Sequence, residues 1–384
     1  LAIQFLDGLS NIAESAEDAA RYQRRIAEVH LGNGEPQEAR SALLRALDHL
    51  PEDLEALHTL QTIAREQEDW QALVGALSRE LEVQRGDKRL AVAREIARVW
   101  EEQIGDDAVA ADSWEKVIEL APGDKGALEH LVSLAERNGN WTHFIDNGKS
   151  LVHFLDGEEL AGLLARMGRV ALQHLRREEE AIRFLDRAST CEPPSLSAAE
   201  DLERIYAARG SWDLVIECTL RRARASEGAD AVALYLQAAR HRNDHMRDRK
   251  GAAAAYDEAL NIQPNEPEAL RFKGLFLFEN NNLQGAVEVF RTIEQSDIEI
   301  DLDDFDATME QALYYFRFGE ALRRLDNTDG AIQRYEQALE LNASHLPTLE
   351  AVGPLYVDEK RWAEANKVFR QVLQLTGGQG DPAR

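Results

Sequence analysis

The sequence predicts an all-α protein, an α-solenoid built from about ten helix-turn-helix hairpins. Two observations carry this prediction. Residue classes recur at a fixed spacing of 71 along the chain, which is typical of tandem structural repeats. Between the recurring positions, apolar residues follow one another at three- and four-residue steps, as they do on one face of a helix, whereas the alternation typical of strands is nearly absent.

The 71-residue register is visible in five residue classes. The recurring sets are Pro51, Pro122, Pro193 and Pro264; Trp70, Trp141 and Trp212; Ala39, Ala110, Ala181 and Ala252; Gly86, Gly157 and Gly228; and Leu43, Trp114, Leu185 and Tyr256. Five independent classes in one register are very improbable by chance. The unit is therefore tandem, and a length that would suggest several globular domains becomes one elongated array.

Each 71-residue unit splits into two halves, and each half is predicted to be a helix, a tight turn and a second helix. We assign a leading helix of a partial repeat to residues 1–19, the solenoid to 20–376 and a flexible tail to 377–384. The second helices are expected to start near residues 37, 70, 107, 141, 178, 212, 249, 283, 328 and 361.

The recurring residues have physical roles in this arrangement. Ala39 and its equivalents let two helices approach closely, and Leu43 and its equivalents, one turn later, fill the space against the partner helix. Pro51 and its equivalents stop a helix, because proline lacks an N–H group and has a fixed φ. Gly86 and its equivalents are expected to end the other second helices, and Trp70 and its equivalents to open them.

The register breaks once, because Ala252 is followed by Ala331 after 79 residues instead of 71. We place the eight-residue insertion near 294–306. Its carboxylates form a candidate acidic docking loop for a basic partner: Asp297, Glu299, Asp301, Asp303, Asp304 and Asp306. The alternative is a longer connection whose apolar residues pack on the solenoid. A calcium loop is disfavoured, because Leu302 and Thr308 stand where an EF-hand needs glycine and an acid.

Three segments share a pattern of glycine in the first helix and alanine followed by an aromatic residue in the second. They are 267–300 with Leu270, Gly274, Leu277, Ala286 and Phe290; 312–345 with Gly319, Leu322, Ala331, Tyr335 and Ala338; and 346–379 with Leu349, Gly353, Tyr356, Ala365 and Phe369. The pattern resembles the tetratricopeptide repeat family over about residues 20–375. That resemblance implies a right-handed superhelix whose first helices line a concave groove.

The resemblance also implies which side chains would line a partner-binding groove. The candidates are Arg166, His174, Gln237, His241, His245, Arg271, Phe278, Phe316, Arg323 and Arg324. A lining of basic, aromatic and polar groups suits an extended peptide or a helix of a partner protein. Leu275 stands where the family's carboxylate clamp needs asparagine, which disfavours recognition of an acidic chain terminus. The alternative is that these residues are ordinary solvated surface.

The motifs of catalysis and of cofactor or metal binding are missing. Gly148-Lys149-Ser150 resembles the end of a phosphate-binding loop, but the required earlier glycine is His143. The pair His241 and His245 has metal-ligand spacing, yet its basic neighbours disfavour a cation. We therefore predict no catalytic, cofactor-binding or metal-binding residues, no cofactor and no enzymatic activity.

Composition and charge exclude several partners. The 384 residues carry 44 Lys and Arg against 70 Asp and Glu, a formal charge of −26. Such a chain is not expected to bind nucleic acid or an anionic membrane surface. No apolar run is long enough to span a bilayer, so membrane insertion is not expected. Cys191 and Cys218 are too few for a disulfide framework or a four-thiolate zinc site.

The function that these features favour is a protein-protein interaction scaffold, a repeat array that binds peptide or helix segments of other proteins in a bacterial-style assembly. Self-association through uncapped ends is a further expectation, as is a cytoplasmic location. The first residue is Leu1, which suggests a fragment or a processed chain. Two alternatives stay open: a regulatory or targeting arm of a larger enzyme or transcription regulator, and a chaperone-like carrier in secretion or envelope assembly.

Overall fold

A computed structural model describes residues 2–295 and 305–377 of the chain. Over these residues the regular structure is helical and contains no strand. The chain divides into two compact units, Leu1–Ser195 and Leu196–Arg384, here called unit 1 and unit 2. In each unit, successive helices pack as antiparallel hairpins against their neighbours, which confirms the all-α solenoid.

The described part of unit 1 contains eleven α-helices. They are α1 (Ala2–Asn11), α2 (Ala16–Gly32), α3 (Pro36–His49), α4 (Leu54–Glu66), α5 (Trp70–Val83), α6 (Gly86–Arg98), α7 (Asp107–Leu120), α8 (Lys125–Arg137), α9 (Trp141–Leu151), α10 (Gly157–Gln173) and α11 (Glu178–Ser189). A π-helical segment, Val99–Ile104, continues α6.

The described part of unit 2 contains ten α-helices. They are α12 (Leu196–Ala208), α13 (Trp212–Arg224), α14 (Gly228–Asp244), α15 (Arg249–Ile262), α16 (Pro267–Glu279), α17 (Leu283–Gln295), α18 (Phe305–Arg324), α19 (Thr328–Leu341), α20 (Leu346–Asp358) and α21 (Trp362–Leu375). After α1, the helices of the two units pair into hairpins from α2/α3 to α20/α21 within the described residues.

Every second helix, from α3 to α21 in odd numbers, begins within one residue of its predicted start. The first hairpin begins slightly earlier than the boundary at residue 20, because α2 starts at Ala16. Ser15 sets this start, since its side-chain oxygen accepts a hydrogen bond of 3.0 Å from the backbone N–H of Asp18.

The core consists of the recurring alanine and large apolar positions. Ala39, Ala110, Ala181 and Ala252 are each 0% exposed, and Leu43, Trp114, Leu185 and Tyr256 are at most 4% exposed. The predicted roles of these two sets are therefore confirmed. A glycine is needed where a first helix touches such a side chain: a Cβ at Gly274 would lie 2.4 Å from the ring of Phe290.

The prediction that the recurring glycines end second helices is wrong. Gly86, Gly157 and Gly228 do not end second helices; they are the first residues of α6, α10 and α14. Their φ angles are +59°, +50° and +58°, in the left-handed region that favours glycine. The glycine therefore redirects the chain after one hairpin and opens the next.

Ion pairs link neighbouring hairpins along unit 1. Each joins an arginine to a carboxylate that lies 29 or 30 residues away in sequence. The pairs are Arg40–Asp69 (2.9 Å), Arg65–Glu95 (2.5 Å), Arg94–Asp124 (2.6 Å), Arg137–Asp107 (2.8 Å) and Arg166–Glu136 (2.7 Å). Partly exposed pairs of this kind contribute about 0.2–1 kcal/mol each.

The predicted acidic loop lies mostly outside the described residues. Asp297, Glu299, Asp301, Asp303 and Asp304 are in the gap between α17 and α18, and Asp306 is the second residue of α18. The predicted tail lies outside as well, except for residue 377. None of the helices in 2–295 and 305–377 has both the length and the apolar character needed to cross a membrane.

Candidate protein-interaction site

The best-formed group of candidate residues surrounds Trp212 in unit 2. Trp212 opens α13 after a tight turn at Gly210, whose φ is +70°. His245 caps the C-terminus of α14, and its ring stacks on that of Trp212 with centroids 3.5 Å apart. His241, one turn earlier, lies 5.2 Å from the same indole. Because Nε2 of Gln237 lies 3.4 Å from Nε2 of His241, these four residues form one group, here called the Trp212 cluster.

The electrostatics of the cluster favour neutral hydrogen bonding. Burial lowers the pKa of His241, the electrostatic influence of His245 and Arg240 lowers it further, and Asp244 raises it. His241 is therefore neutral near pH 7, with one ring nitrogen that donates and one that accepts. The guanidinium of Arg240 is already engaged, because it forms a forked ion pair with the carboxylate of Glu268, in which Nε donates a hydrogen bond of 2.7 Å.

Unit 1 contains an equivalent stack 71 residues earlier in the sequence. His174 caps α10 and stacks on Trp141 with ring centroids 4.1 Å apart. Arg166, on the same helix, pairs with Glu136 at 2.7 Å, and its guanidinium lies 5.9 Å from the centroid of Phe144. Arg166 and His174 are the two predicted groove residues that fall in unit 1.

Three further candidates in unit 2, Phe278, Arg323 and Arg324, form a second group on α16 and α18. The guanidinium of Arg324 lies 5.2 Å from the ring centroid of Phe278. Arg323 donates two hydrogen bonds to Glu320, at 3.0 and 2.9 Å, and the hydroxyl of Tyr335 donates a third at 2.5 Å. Burial opposes ionisation of Glu320, but these hydrogen bonds and the arginine charges lower its pKa overall.

Two candidates stand outside these groups. Phe316 packs beside His345, with ring centroids 5.2 Å apart, and beside Tyr335 at 6.0 Å. Arg271 is half-buried, and its Nε donates to the backbone oxygen of Pro267 at 3.3 Å. Both side chains are thus engaged within unit 2.

The sequence interpretation missed the tryptophans as parts of the site. It assigned them only the role of opening second helices, yet Trp141 and Trp212 are half-buried and each presents a ring to a candidate histidine. The signal was available in the register: His174 and His245 are 71 residues apart, as are the two tryptophans, so each histidine follows its tryptophan by the same interval.

Stacking and neutral hydrogen bonding are the chemistry that the arrangement offers. The rings of His241 and His245 lie 5.6 Å apart. In the part of the chain that the structure describes, no three His, Cys, Asp or Glu side chains converge to hold a metal ion. Cys218 is buried and Cys191 half-buried, and these two residues form no disulfide.

Comparison with known proteins places the repeats in a family. Two family models described as tetratricopeptide repeat match the chain, one over residues 244–299 and the other over 312–345. The second range coincides with one of the segments that carry the sequence resemblance. No curated protein matches the chain.

Solved structures with a similar arrangement include MamA from Desulfovibrio magneticus RS-1, at 18% identity, with 48% of this chain and 97% of that one covered and a TM-score of 0.36. YrrB, titled a TPR protein with an unusual peptide-binding site, is 17% identical over 50% of this chain and 91% of its own, with a TM-score of 0.33. The APC/C hetero-tetramer Cut9–Hcn1 matches at 15% identity over 98% and 79%, with a TM-score of 0.32.

The family matches and the helical hairpins agree with each other. The match over 244–299 covers α15 to α17, and the match over 312–345 covers most of α18 and all of α19. Residues 244–299 and 312–345 of this chain are therefore identified as tetratricopeptide repeats.

Proposed function

We propose that the chain is a non-enzymatic scaffold that binds peptide or helix segments of partner proteins on the first helices of its hairpins. The observation that carries this proposal is the Trp212 cluster, in which a stacked aromatic pair stands beside neutral hydrogen-bonding groups on a helical frame. Aromatic side chains with a polar edge are favoured anchors at interfaces, because they bury a large area and still hydrogen-bond.

The character of the bound segment follows from the ion pairs around the candidates. Arg166 and Arg323 are each paired with a carboxylate of their own unit, Glu136 and Glu320. An acidic segment would have to displace these carboxylates to reach the arginines. A segment that is apolar or aromatic at its centre and neutral in hydrogen bonding suits the surface better.

The rest of the proposal is carried over from the sequence. Enzymatic activity is not part of it, because the sequence lacks the motifs of a nucleophile, a cofactor loop or a metal centre. The cytoplasmic location and the bacterial-style assembly stay predictions, as does self-association.

Site-specific photo-cross-linking tests this function. A photoreactive amino acid replaces His245, and a control replaces Asp186, an exposed residue of a second helix. In cell extract at near-physiological salt, the probe at 245 is expected to label one contiguous segment of a specific protein. The same probe in a Trp212→Ala background should lose that product. Equal labelling from both positions, or no labelled protein from 245, would count against the proposal.

A further inference from the structure

A groove on the second-helix side of unit 1 lies apart from the candidate site. It runs between α3 and α5 above α4 and has a volume of about 450 Å³. Its floor contains the buried side chains of Leu60, Ile63 and Ala76, and its wall contains Leu44, which is 38% exposed. The groove thus combines an apolar floor and Leu44 with a polar rim, and its size lies in the range of about 300–1,000 Å³ that is common for binding pockets. The rim consists of Arg40, Gln67, Asp69, Gln71 and Arg79.

Among the four copies of the 71-residue unit that precede the insertion, this composition occurs in one. The positions equivalent to Leu44 are Glu115, Asp186 and Asp257, and those equivalent to Gly75 are Asp146, Glu217 and Glu288. At all six equivalents the second helix therefore presents a carboxylate. Of the four copies, only this groove lacks both acids. Leu44 has an apolar side chain at the first position, and Gly75 has no side chain at the second.

Packing does not explain the glycine. A Cβ at Gly75 would meet no atom within 4 Å, and the residue lies in the interior of α5. Glycine in a helix interior costs about 0.5–1 kcal/mol relative to alanine. The residue therefore lowers the stability of the helix while it keeps the groove open, which is expected of a surface that receives a partner.

A second cavity of about 460 Å³ adjoins the groove, and the two share Arg79 in their linings. The second cavity also carries the carboxylates of Asp48, Glu52 and Glu82. Within the described residues, these three carboxylates form no ion pair. Three acids against one arginine give this end of the groove a negative charge. At the other end, the charges of Arg40 and Asp69 are paired with each other, and Leu44 is the exposed apolar side chain.

We propose that this groove binds a basic amphipathic segment of a partner protein. A large aliphatic or aromatic side chain of the segment fills the space between Leu44 and Gly75, and a Lys or Arg of the same segment pairs with the carboxylates at the adjoining cavity. The chain's formal charge of −26 draws a basic partner towards it. The proposal rests on the proposed scaffold function and adds to it a second surface and its class of partner.

Peptide selection on the folded full chain tests the proposal. A display library of random short peptides is panned at near-physiological salt, and a selected peptide is synthesised for fluorescence anisotropy. We expect sequences that combine a large apolar residue with Lys or Arg. Leu44→Glu and Gly75→Glu, which restore the residue type of the equivalent positions, are each expected to weaken binding about tenfold or more, because they place a carboxylate against the buried apolar group.

Two further variants give the experiment its controls. Thr142→Glu adds the same charge to unit 1, at the register equivalent of the groove residue Gln71, and is expected to leave the affinity unchanged. Glu82→Gln is expected to weaken binding and to reduce its dependence on salt, because it removes one of the carboxylates. Circular dichroism and urea unfolding show whether each variant folds. If Gly75→Glu fails to fold, Leu44→Glu alone decides the outcome.

The results that would contradict the groove proposal differ from those that would contradict the proposed scaffold function. If every selected peptide keeps its affinity for Leu44→Glu but loses it with Trp212→Ala, the groove proposal is overturned and the scaffold function stands. An acidic consensus, or a dimer of the chain that Leu44→Glu disperses in sedimentation, also overturns the groove. Recovery of no binding peptide counts against both.

Discussion

The rings of Trp212 and His245 lie parallel, with centroids 3.5 Å apart. Trp212 opens the second helix of one hairpin, and His245 caps the first helix of the next. The stack therefore joins two hairpins of unit 2 while it leaves an aromatic edge at the surface. Trp141 and His174 make the same contact in unit 1.

Deleting Trp114 is expected to destabilise unit 1 more than deleting Trp141. Trp114 is 1% exposed, and its indole N–H donates to Glu101 at 2.8 Å, whereas Trp141 is half-buried. Trp114→Ala should cost about 3–5 kcal/mol, the range for a buried aromatic residue. Trp141→Ala should cost about 1–3 kcal/mol. Urea unfolding measures both, and the reverse order would show that the indole of Trp141 carries more of the core than its exposure indicates.

Adding one methyl group at Gly319 is expected to destabilise unit 2 by about 1–3 kcal/mol, the range for overpacking. A Cβ there would lie 2.7 Å from the ring of Tyr335 and 3.2 Å from the backbone oxygen of Ala331. Gly162→Ala is the matched control, because a Cβ at that helical position meets nothing within 4 Å and the change should stabilise by about 0.5–1 kcal/mol. Thermal unfolding should shift in opposite directions for the two variants.

The stability of unit 2 is expected to fall in mild acid because of His241. Burial lowers the pKa of this histidine below its ordinary value of 6.5, so the folded state holds it neutral and the unfolded state protonates it first. The stabilisation is complete above the ordinary pKa and is lost as pH falls through the folded-state pKa. Between about pH 7.5 and about pH 5, the wild type should lose more free energy of unfolding than His241→Gln. Equal losses would contradict the assignment.

Removing the hydroxyl of Tyr335 is expected to raise the pKa of Glu320. The hydroxyl donates to Glu320 at 2.5 Å and helps to hold that pKa below its usual value, together with Arg323. Tyr335→Phe should cost about 1.5–3 kcal/mol at neutral pH, the range for a hydrogen bond to a charged group. An NMR titration of the Glu320 carboxyl measures the pKa. Because its pKa is low in the folded state, Glu320 contributes most to the free energy of unfolding at neutral pH. This contribution is lost as pH falls through the folded-state pKa. An unchanged pKa would show that Arg323 and Arg324 hold it low without the hydroxyl.

The fold could be predicted in detail because the register fixes which residues must be small, large or helix-ending. The starts of α5, α7 and α9, for example, follow directly from the recurrence of tryptophan, alanine and proline. The glycines were misplaced because a left-handed residue ends one helix and begins another equally well. Gly86 opens α6, and only the backbone geometry distinguishes the two positions.

The candidate site could be predicted only in part. Sequence reasoning selected Arg166 and Arg323 as available cations, but each is bound to a carboxylate. The partner of Arg166 lies on the neighbouring hairpin, 30 residues away, and helical spacing within one hairpin does not reveal such a contact. The stacking role of Trp212 was missed for the same reason, because its histidine comes from the next hairpin.

The ion pairs between hairpins of unit 1 also contribute to how the unit responds to force, beside the apolar packing that crosses the same boundaries. Each pair connects only adjacent hairpins. A stretching force along the stack is therefore transmitted from each hairpin to its neighbour, and the extensions of the successive links add up. The partly exposed links weaken as dissolved ions screen them, whereas the apolar packing within each hairpin does not. Unit 1 should therefore become more extensible with rising ionic strength while its hairpins stay folded.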